Sequence, residues 1–208
     1  MGIVTLLRLV LDVGNRDRDT ARLVKNVPGV EDAQPFVQMP VRYKVRSEDP
    51  WKNGIVLILD DYDNQTYELI QLKEGRWPQR NDIGIERLAA QHLAKTIGDE
   101  LIFELGNSER ALPISGKIRH PFVPPPAFLD LLFFFMDSEG AQRLGVPEGR
   151  FNALLIRVTP YSEERAKEAA TLIKERFAKL GIGVVATQYQ DPDKHWGRMF
   201  MEAFTVVL

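Results

Sequence analysis

The sequence predicts an α+β fold made of two lobes, with one lobe inserted into the other. Both ends of the 208-residue chain have the pattern strand–helix–strand, whereas the middle alternates short strands with short helices. The chain contains no long repeat and no low-complexity tract. A chain of this length can bury one large core or two small ones.

The N-terminal strand–helix–strand unit begins with an apolar strand, Val4 to Leu11. A short helix follows at about Asp17 to Val27, then a Pro-Gly turn and a second strand from Val30.

The C-terminal unit has the same order of elements. Its strands are Ala153 to Thr159 and Gly183 to Tyr189, and the helix between them runs from Ser162 to Leu180. Ser162 is a favourable N-cap, and Gly181 is placed to end the helix. The apolar stripe of this helix consists of Ala166, Ala169, Ala170, Ile173, Phe177 and Leu180.

Strand–helix–strand units normally form crossovers between parallel strands of one sheet. Two such units side by side predict a ferredoxin-like lobe built from residues 1–45 and 150–195. The intervening residues, 46–149, are predicted to form a second, mixed α and β lobe. Hinges between the lobes are expected near Lys44–Ser47 and Gly149–Asn152.

Within the inserted lobe, Ile55 to Leu59 reads as a short apolar strand. Glu100 to Leu105 and Ala111 to Arg119 read as a hairpin, joined by a turn at Gly106. Asp137 to Leu144 is predicted to be a short helix.

The segment from Glu74 to Phe103 is the most informative part of the chain. Gly75 and Pro78 predict a tight turn, Asn81 or Asp82 can cap a helix, and Gly98 can end it. The helical stripe would be Ile85, Leu88, Ala89, Leu93 and Ile97, and the following strand would bury Leu101, Phe103 and Leu105.

The same segment, GRWPQRNDIGIERLAAQHLAKTIGDEL, resembles the core extracytoplasmic domain of MacB/FtsX-type ABC transporter permeases. Asn26 to Val37 and Leu112 to Pro121 are similar to two further stretches of that family, so the resemblance spans most of the chain. The matching positions in the central segment are Gly75, Arg76, Pro78, Asp82, Ile83, Ala89, Leu93, Gly98 and Asp99.

The resemblance implies a non-catalytic domain on the extracytoplasmic side of the cell membrane, between the first and second membrane helices of a permease. It implies a porter-like lobe formed by both chain ends, and residues 196–208 as a stalk toward a membrane helix. The implied partners are a cytoplasmic ABC ATPase, reached through the membrane part, a second permease copy, and an extracytoplasmic substrate or accessory protein. ATP would bind that separate ATPase, so this domain needs no cofactor. Family substrates include lipoproteins, peptides and drugs, and nothing in the sequence selects among them.

Composition agrees with a globular domain. The net charge of −2 and the pI of about 6.0 give no basic surface for nucleic acid. The absence of cysteine excludes disulfides, thiol catalysis and cysteine metal sites. The most apolar runs, Leu129 to Met136 and Phe204 to Leu208, are shorter than the roughly 20 residues of a membrane helix.

The sequence has no motif for catalysis, for a cofactor or for a metal. It lacks the nucleophile elbow, the phosphate-binding glycine loop and the paired-histidine spacing of zinc enzymes. His92, His120 and His195 are dispersed. The acidic run from Asp60 to Gln65 faintly resembles a calcium loop, but it lacks the glycine and closing glutamate, so a polar turn is the favoured interpretation.

Aromatic and proline residues are the candidate surface for a substrate or partner, because interfaces are enriched in aromatic side chains. The alternatives are ordinary core packing and, for Pro121 to Pro126, a stiff connector. The candidate residues are Trp51, Trp77, Phe122, Pro124, Pro125, Pro126, Phe128 and Phe133.

A second functional class stays open at this point: a free-standing α+β hydrolase or small-molecule-binding protein. An enzyme predicts a pocket with converging titratable groups. A permease domain predicts an apolar or aromatic groove, and a chain that starts and finishes at the same end of the domain.

Overall fold

A computed structural model describes residues 6–11, 16–59, 61–67, 69–105, 108–127, 130–143, 145–147 and 149–189. The chain forms two compact units. Unit 1 contains the residues up to Phe36 and those from Gly149 onward, and unit 2 contains Val37–Glu148. The predicted stalk, 196–208, lies outside the described residues.

Strands outnumber helices in the described part of the chain. In chain order, the strands are β1 (Leu6–Leu11), β2 (Arg16–Asp17), β3 (Val30–Lys44), β4 (Lys52–Leu59), β5 (Gln71–Gly75), β6 (Ile83–Glu86), β7 (Glu100–Leu105), β8 (Ser108–Arg119), β9 (Leu132–Asp137), β10 (Arg150–Phe151), β11 (Ala153–Val158) and β12 (Val184–Tyr189). The helices are α1 (Arg18–Lys25), α2 (Arg87–His92), α3 (Ser138–Arg143) and α4 (Glu163–Lys179).

The sheet of unit 1 has the strand order β12-β1-β11-β3, and each neighbouring pair is antiparallel. β1 and β3 therefore run in the same direction with β11 between them, and β11 and β12 run in the same direction with β1 between them. The first connection carries α1 and the second carries α4. A short ribbon of β2 and β10 lies off this sheet.

The two helices of unit 1 lie side by side. The Arg176 guanidinium of α4 donates to the backbone carbonyls of Leu23 and Asn26, 2.9 and 3.2 Å away. Ser162 caps α4 by accepting from the Arg165 N–H, as the sequence predicts. The predicted stripe of α4 is buried except for Leu180, which is 55% exposed.

The chain enters and leaves the sheet of unit 1 at the same end. β1 and β12 are antiparallel neighbours, and Leu7 near the start of β1 lies opposite Tyr189 at the end of β12. The described chain therefore begins and finishes on adjacent strands at one edge of this sheet.

Unit 2 is built on a closed ring of strands. Its pairs are β3–β4, β4–β9, β9–β6, β6–β8, β8–β7 and β7–β3, which returns to the start, and β5 is added outside the ring on β8. Only the β4–β9 and β6–β8 pairs are parallel. A closed small barrel is filled by its inward side chains.

Aromatic rings form the centre of unit 2. The rings of Tyr43, Phe103 and Phe134 contact one another, with centroids 5.1 to 6.4 Å apart, and all three side chains are almost fully buried. Burial, with a smaller contribution from the charge of Asp130, raises the pKa of Tyr43 to about 12. These contacts hold the second half of β3 against β7 and β9.

The predicted helix from Asn81 or Asp82 to Ile97 is wrong in its extent. Residues 83–86 form β6, a strand buried along its whole length between β8 and β9, and α2 spans only Arg87–His92. Its N-cap is Glu86, whose carboxylate accepts from the Leu88 N–H at 2.5 Å. A short apolar segment is compatible with the period of a helix and with that of a strand. Here the segment is buried on both faces, which favours the strand.

The remaining predicted elements of unit 2 agree more closely. β7 and β8 form the predicted hairpin, with Glu100 opposite Pro113, and Leu101 and Phe103 are buried. The unit boundary falls between Phe36 and Val37, earlier than the predicted boundary after residue 45. The reason is that β3 continues without interruption while its partner changes from β11 to β4. No helix among the described residues is long and apolar enough to cross a membrane.

Candidate functional site

The segment that carries the family resemblance builds one corner of unit 2. Its residues 76–82, the motif loop, lead from β5 to β6 and are closed by an ion pair between Arg76 and Asp82. Asp82 is buried, and its Oδ1 accepts from the Gln79 N–H at 2.8 Å. Asp82 therefore fixes the loop from within, instead of capping a helix.

Stacking and hydrogen bonds hold the outer side of the motif loop. Trp77 stacks on Tyr62 with ring centroids 4.7 Å apart, and the Tyr62 hydroxyl donates to the Met136 carbonyl at 2.7 Å. Burial raises the pKa of the Tyr62 phenol well above its usual range. The Arg80 N–H donates to Asp137, whose carboxylate also accepts from the Gly140 N–H in α3. The loop is therefore anchored to the end of β9.

Beside the motif loop is a cleft of about 500 Å3, the unit 2 cleft. It opens where β8 changes its partner from β7 to β5. The Ile114 N–H donates to the Asp99 carbonyl, and the Arg76 N–H donates to the Ser115 carbonyl. The lining residues are Gly75, Arg76, Asp82, Ile97, Gly98, Pro113, Ile114 and Ser115.

The cleft has a buried floor and an exposed rim. Asp82, Ile114 and Ser115 are buried, whereas the Ile97 residue is 39% exposed and the Arg76 side chain is 55% exposed. The backbone polar groups around the cleft are already hydrogen-bonded to one another; the Gly98 N–H, for example, donates to the Ile114 carbonyl. Carbon atoms consequently form most of the cleft wall.

The lining residues do not form a catalytic set. Ser115 donates its hydroxyl to the Ile83 carbonyl at 3.4 Å, and the Asp82 carboxylate is paired with Arg76. No histidine lines the cleft. Across the part of the chain that the structure describes, no three potential metal ligands cluster. The geometry therefore suits binding of an apolar group better than acid–base or nucleophilic chemistry.

None of the sequence-predicted surface residues that the structure describes lines the cleft. Trp77 is half-buried against Tyr62, Phe133 is half-buried in β9, and Pro124, Pro125 and Pro126 are half-buried. Phe128 lies outside the described residues.

Trp51 belongs to a different contact cluster from Trp77. The Lys44 Nζ lies 4.6 Å from the Trp51 ring centroid, and the Arg42 guanidinium carbon lies 5.6 Å from it. Lys44 also pairs with Glu109 at 2.8 Å, and Arg42 pairs with Glu104. Both cations already have carboxylate partners, so this cluster ties the end of β3 and Trp51, just before β4, to the β7–β8 hairpin.

Phe122 packs on a buried histidine. His120 is 5% exposed, its Nδ1 accepts from the Phe122 N–H at 3.1 Å, and its ring stacks on Phe135. His92 is exposed at the end of α2, and His195 lies outside the described residues. Neither of the two histidines that the structure describes lines the cleft.

The acidic run after β4 forms a polar turn. The Asp61 carboxylate accepts from the backbone N–H groups of Asp63 and Asn64 and from the Asn64 amide. These hydrogen bonds hold the pKa of Asp61 below its usual range, and the bond from the Asn64 side chain makes the largest contribution. Asp60 lies outside the described residues.

The sequence did not predict the cleft, because it identifies Gly75, Arg76, Asp82 and Gly98 only as positions of a family motif. Pro113 and Ser115 lie on β8, far along the chain from Arg76, and only the strand pairing brings them together. The available signal was Gly75 followed by Arg76, since a glycine beside a charged residue at a strand end permits close backbone approach.

The fold agrees with that of a solved periplasmic domain. The periplasmic region of MacB from Actinobacillus actinomycetemcomitans matches with a TM-score of 0.52 and 12% identity, over 97% of this chain and 94% of that one. The extracellular domain of the noncanonic ABC-type transporter YknZ from Gram-positive bacteria matches with a TM-score of 0.49 and 13% identity, over 88% of this chain and 100% of that one. No protein-family model and no curated protein sequence matches the chain.

The architecture places the chain in the α+β class. More particularly, the chain has the fold of the MacB periplasmic region, so the predicted MacB/FtsX-type resemblance is confirmed at the level of the fold.

Proposed function

We propose that this chain is a non-catalytic extracytoplasmic domain of an ABC transporter permease. The observation that carries the proposal is the likeness to the MacB periplasmic region, which extends over nearly the whole of both chains. The motif from Gly75 to Asp99, with its fixed order of turn, proline and glycine, is an independent observation from the sequence.

The path of the chain through unit 1 supports the same proposal. A domain inserted between two membrane helices must receive and return the chain on its membrane side. Leu7 and Tyr189 lie opposite each other on neighbouring strands, so the chain enters and leaves at one end of the sheet. This arrangement suits attachment of both ends to one membrane.

We further propose that unit 1 is a ferredoxin-like, porter-type lobe and that unit 2 is the lobe inserted into it. The antiparallel order β12-β1-β11-β3, with α1 and α4 side by side, supports this assignment. The closed strand ring of unit 2 supports a separate inserted body.

In the proposed mechanism a separate cytoplasmic ATPase binds and hydrolyses ATP. The membrane helices of the permease transmit the resulting motion to this domain, which moves a substrate or partner protein outside the membrane. Two permease copies act together. The domain itself contributes rigid bodies and surfaces, in line with a cleft whose charged groups, Arg76 and Asp82, are already paired.

The free-standing hydrolase is the weaker alternative. It requires titratable groups that converge on a pocket, and the unit 2 cleft instead has mostly carbon walls and a single, already paired carboxylate. Small-molecule binding without chemistry is compatible with that lining.

The coding region on both sides of this segment provides the direct test. The proposal expects an apolar span of about 20 residues shortly before residue 1, another soon after Leu208, and an adjacent ATPase reading frame. A reading frame that begins at Met1 and stops after Leu208 would contradict the proposal.

A further inference from the structure

The unit 2 cleft has the size and lining of a site for a small ligand. Ligand sites are typically clefts of roughly 300–1,000 Å3 with mainly apolar walls and a few placed polar groups. This cleft has about 500 Å3, and Ile97, Pro113 and Ile114 supply its apolar wall. All of its described lining residues belong to unit 2.

Arg76 gives the rim of the cleft an exposed cationic group. Its hydrogen bonds within the described structure go from Nη1 to the Trp77 carbonyl and from Nη2 to Asp82. A guanidinium has five N–H donors, so three remain for an incoming acceptor. A carboxylate accepts two parallel guanidinium N–H bonds, which is the strongest match for this group.

The ion pair of Arg76 is asymmetric in its exposure. The Arg76 side chain is 55% exposed, while its partner Asp82 is 8% exposed and also accepts from the Gln79 N–H. A ligand at the rim therefore meets the Arg76 guanidinium first, while the Asp82 carboxylate lies in the buried floor and is already paired with Arg76. Asp99, beside Gly98 in the sequence, does not line the cleft, and its carboxylate accepts from the Thr96 N–H.

We propose that the unit 2 cleft binds an aliphatic group that carries a carboxylate. The aliphatic part lies against Ile97, Pro113 and Ile114, and the carboxylate accepts from Arg76. A fatty acid and the C-terminus of a peptide with an aliphatic last residue share this chemistry. The proposal goes beyond the permease assignment and stands on the cleft alone, so either can fail without the other.

Methyl NMR of the full chain tests the site with octanoate as the probe. The expected result is a saturable shift of the Ile97 and Ile114 methyl signals. Arg76→Lys keeps the charge but removes the planar pair of donors, so it is expected to weaken octanoate binding about tenfold. The matched control is Arg80→Lys, which lies in the same loop, is 54% exposed and pairs with Glu139 at 3.1 Å; it should bind as the unchanged protein does.

A second pair of variants keeps the test decisive if Arg76→Lys does not fold. Ile97→Ala removes apolar wall from an exposed position and is expected to weaken binding several-fold. Leu69→Ala, at a residue 47% exposed and absent from the lining, should have no effect.

Two further probes decide between the sources of the ligand. Octanoate binding without binding of the peptide Ala-Ala-Leu assigns the site to a fatty acid, whereas binding of Ala-Ala-Leu but not of its C-terminal amide assigns it to a peptide terminus. The proposal is overturned if neither methyl signal shifts saturably, if octanol binds as well as octanoate, or if Arg80→Lys weakens binding as much as Arg76→Lys.

Discussion

Gly75 is the residue where the motif leaves least room for a side chain. It has φ +80°, and a Cβ there would lie 2.3 Å from the Ser115 carbonyl oxygen and 2.7 Å from the Ile97 Cδ1. The backbone of Gly116 faces the same crossing, where an added Cβ would lie 2.3 Å from the Arg76 carbonyl oxygen. The close approach of β5 to β8 therefore depends on glycine from both sides.

We expect Gly75→Ala to lower the free energy of unfolding by about 3 kcal/mol, since a left-handed backbone strain adds to an overpacking term. Gly98→Ala is the matched control, because Gly98 has φ +90° but no atom within 4 Å of an added Cβ. It should lose only about 1 kcal/mol. Urea denaturation measures both, and equal losses would show that steric contact at Gly75 is not the cause.

Glu86 is a buried carboxylate that serves as the cap of α2. Burial raises its pKa above the ordinary value of about 4.3, against the smaller opposing effects of the Leu88 N–H and Arg87. The folded state thus prefers the protonated acid. The associated stability is present at low pH, below the unfolded pKa, and is lost as pH rises through the folded pKa.

Glu86→Gln should abolish this loss while keeping an oxygen to accept from Leu88. The variant is expected to gain stability relative to the unchanged chain as the pH rises above about 4.3, the ordinary pKa of a glutamate. Glu86→Ala lacks the acceptor and should be about 1 kcal/mol less stable than Glu86→Gln at every pH. Urea midpoints measured over a series of pH values provide the comparison, and parallel pH profiles for the Gln variant and the unchanged chain would refute the assignment.

At the residue scale the sequence predicted the motif positions but not their roles. The sequence predicts a helix cap at Asn81 or Asp82, yet Asp82 closes a loop with Arg76, because the strand pairing of β6 begins at the next residue. The candidate site depended on pairing between distant strands, which local patterns do not contain. The expected aromatic surface remains a prediction for partner binding.

α4 is the element whose sequence signals agreed most completely with its structure. Its N-cap Ser162, its acidic first turn and its spaced alanines all favour the same helix, and no alternative strand pattern competes. α2 shows the opposite case. Its segment carries apolar residues compatible with two periods, so local sequence did not determine where the helix begins.

Ser162→Ala is expected to cost about 1 kcal/mol of stability, since the Arg165 N–H loses its acceptor. Lys167→Ala serves as the comparison. It removes only the solvent-exposed ion pair with Glu163 and should cost clearly less than the loss of the cap. Chemical denaturation, followed by a signal from unit 1, measures the stability loss of each variant. A larger loss for Lys167→Ala than for Ser162→Ala would show that the ion pair and not the cap stabilises the helix.

At the scale of the whole molecule, each unit has strand pairs of its own. The first half of β3 pairs with β11 inside unit 1, and the second half pairs with β4 and β7 inside unit 2. Removing one unit therefore breaks no backbone ladder in the other. The α+β class was predictable because both chain ends repeat one pattern, whereas the ring of unit 2 was not, because its closure depends on long-range pairs.

We expect residues 37–148, expressed alone, to fold and to unfold cooperatively. The closed ring and its aromatic centre of Tyr43, Phe103 and Phe134 are complete within this fragment. A dispersed amide NMR spectrum and a single urea transition are the expected results. A collapsed spectrum would mean that unit 2 requires unit 1 for its stability.

The adjacency of β1 and β12 has a mechanical consequence. Hydrogen bonds of an antiparallel pair lie perpendicular to the strands, and the start of β1 and the end of β12 meet at one end of this pair, at Leu7 and Tyr189. A force that draws these two points apart loads the bonds one after another, as in a zipper, whereas a force that moves them together loads none. Such a domain yields readily to separation of its anchors and travels intact when they move in concert.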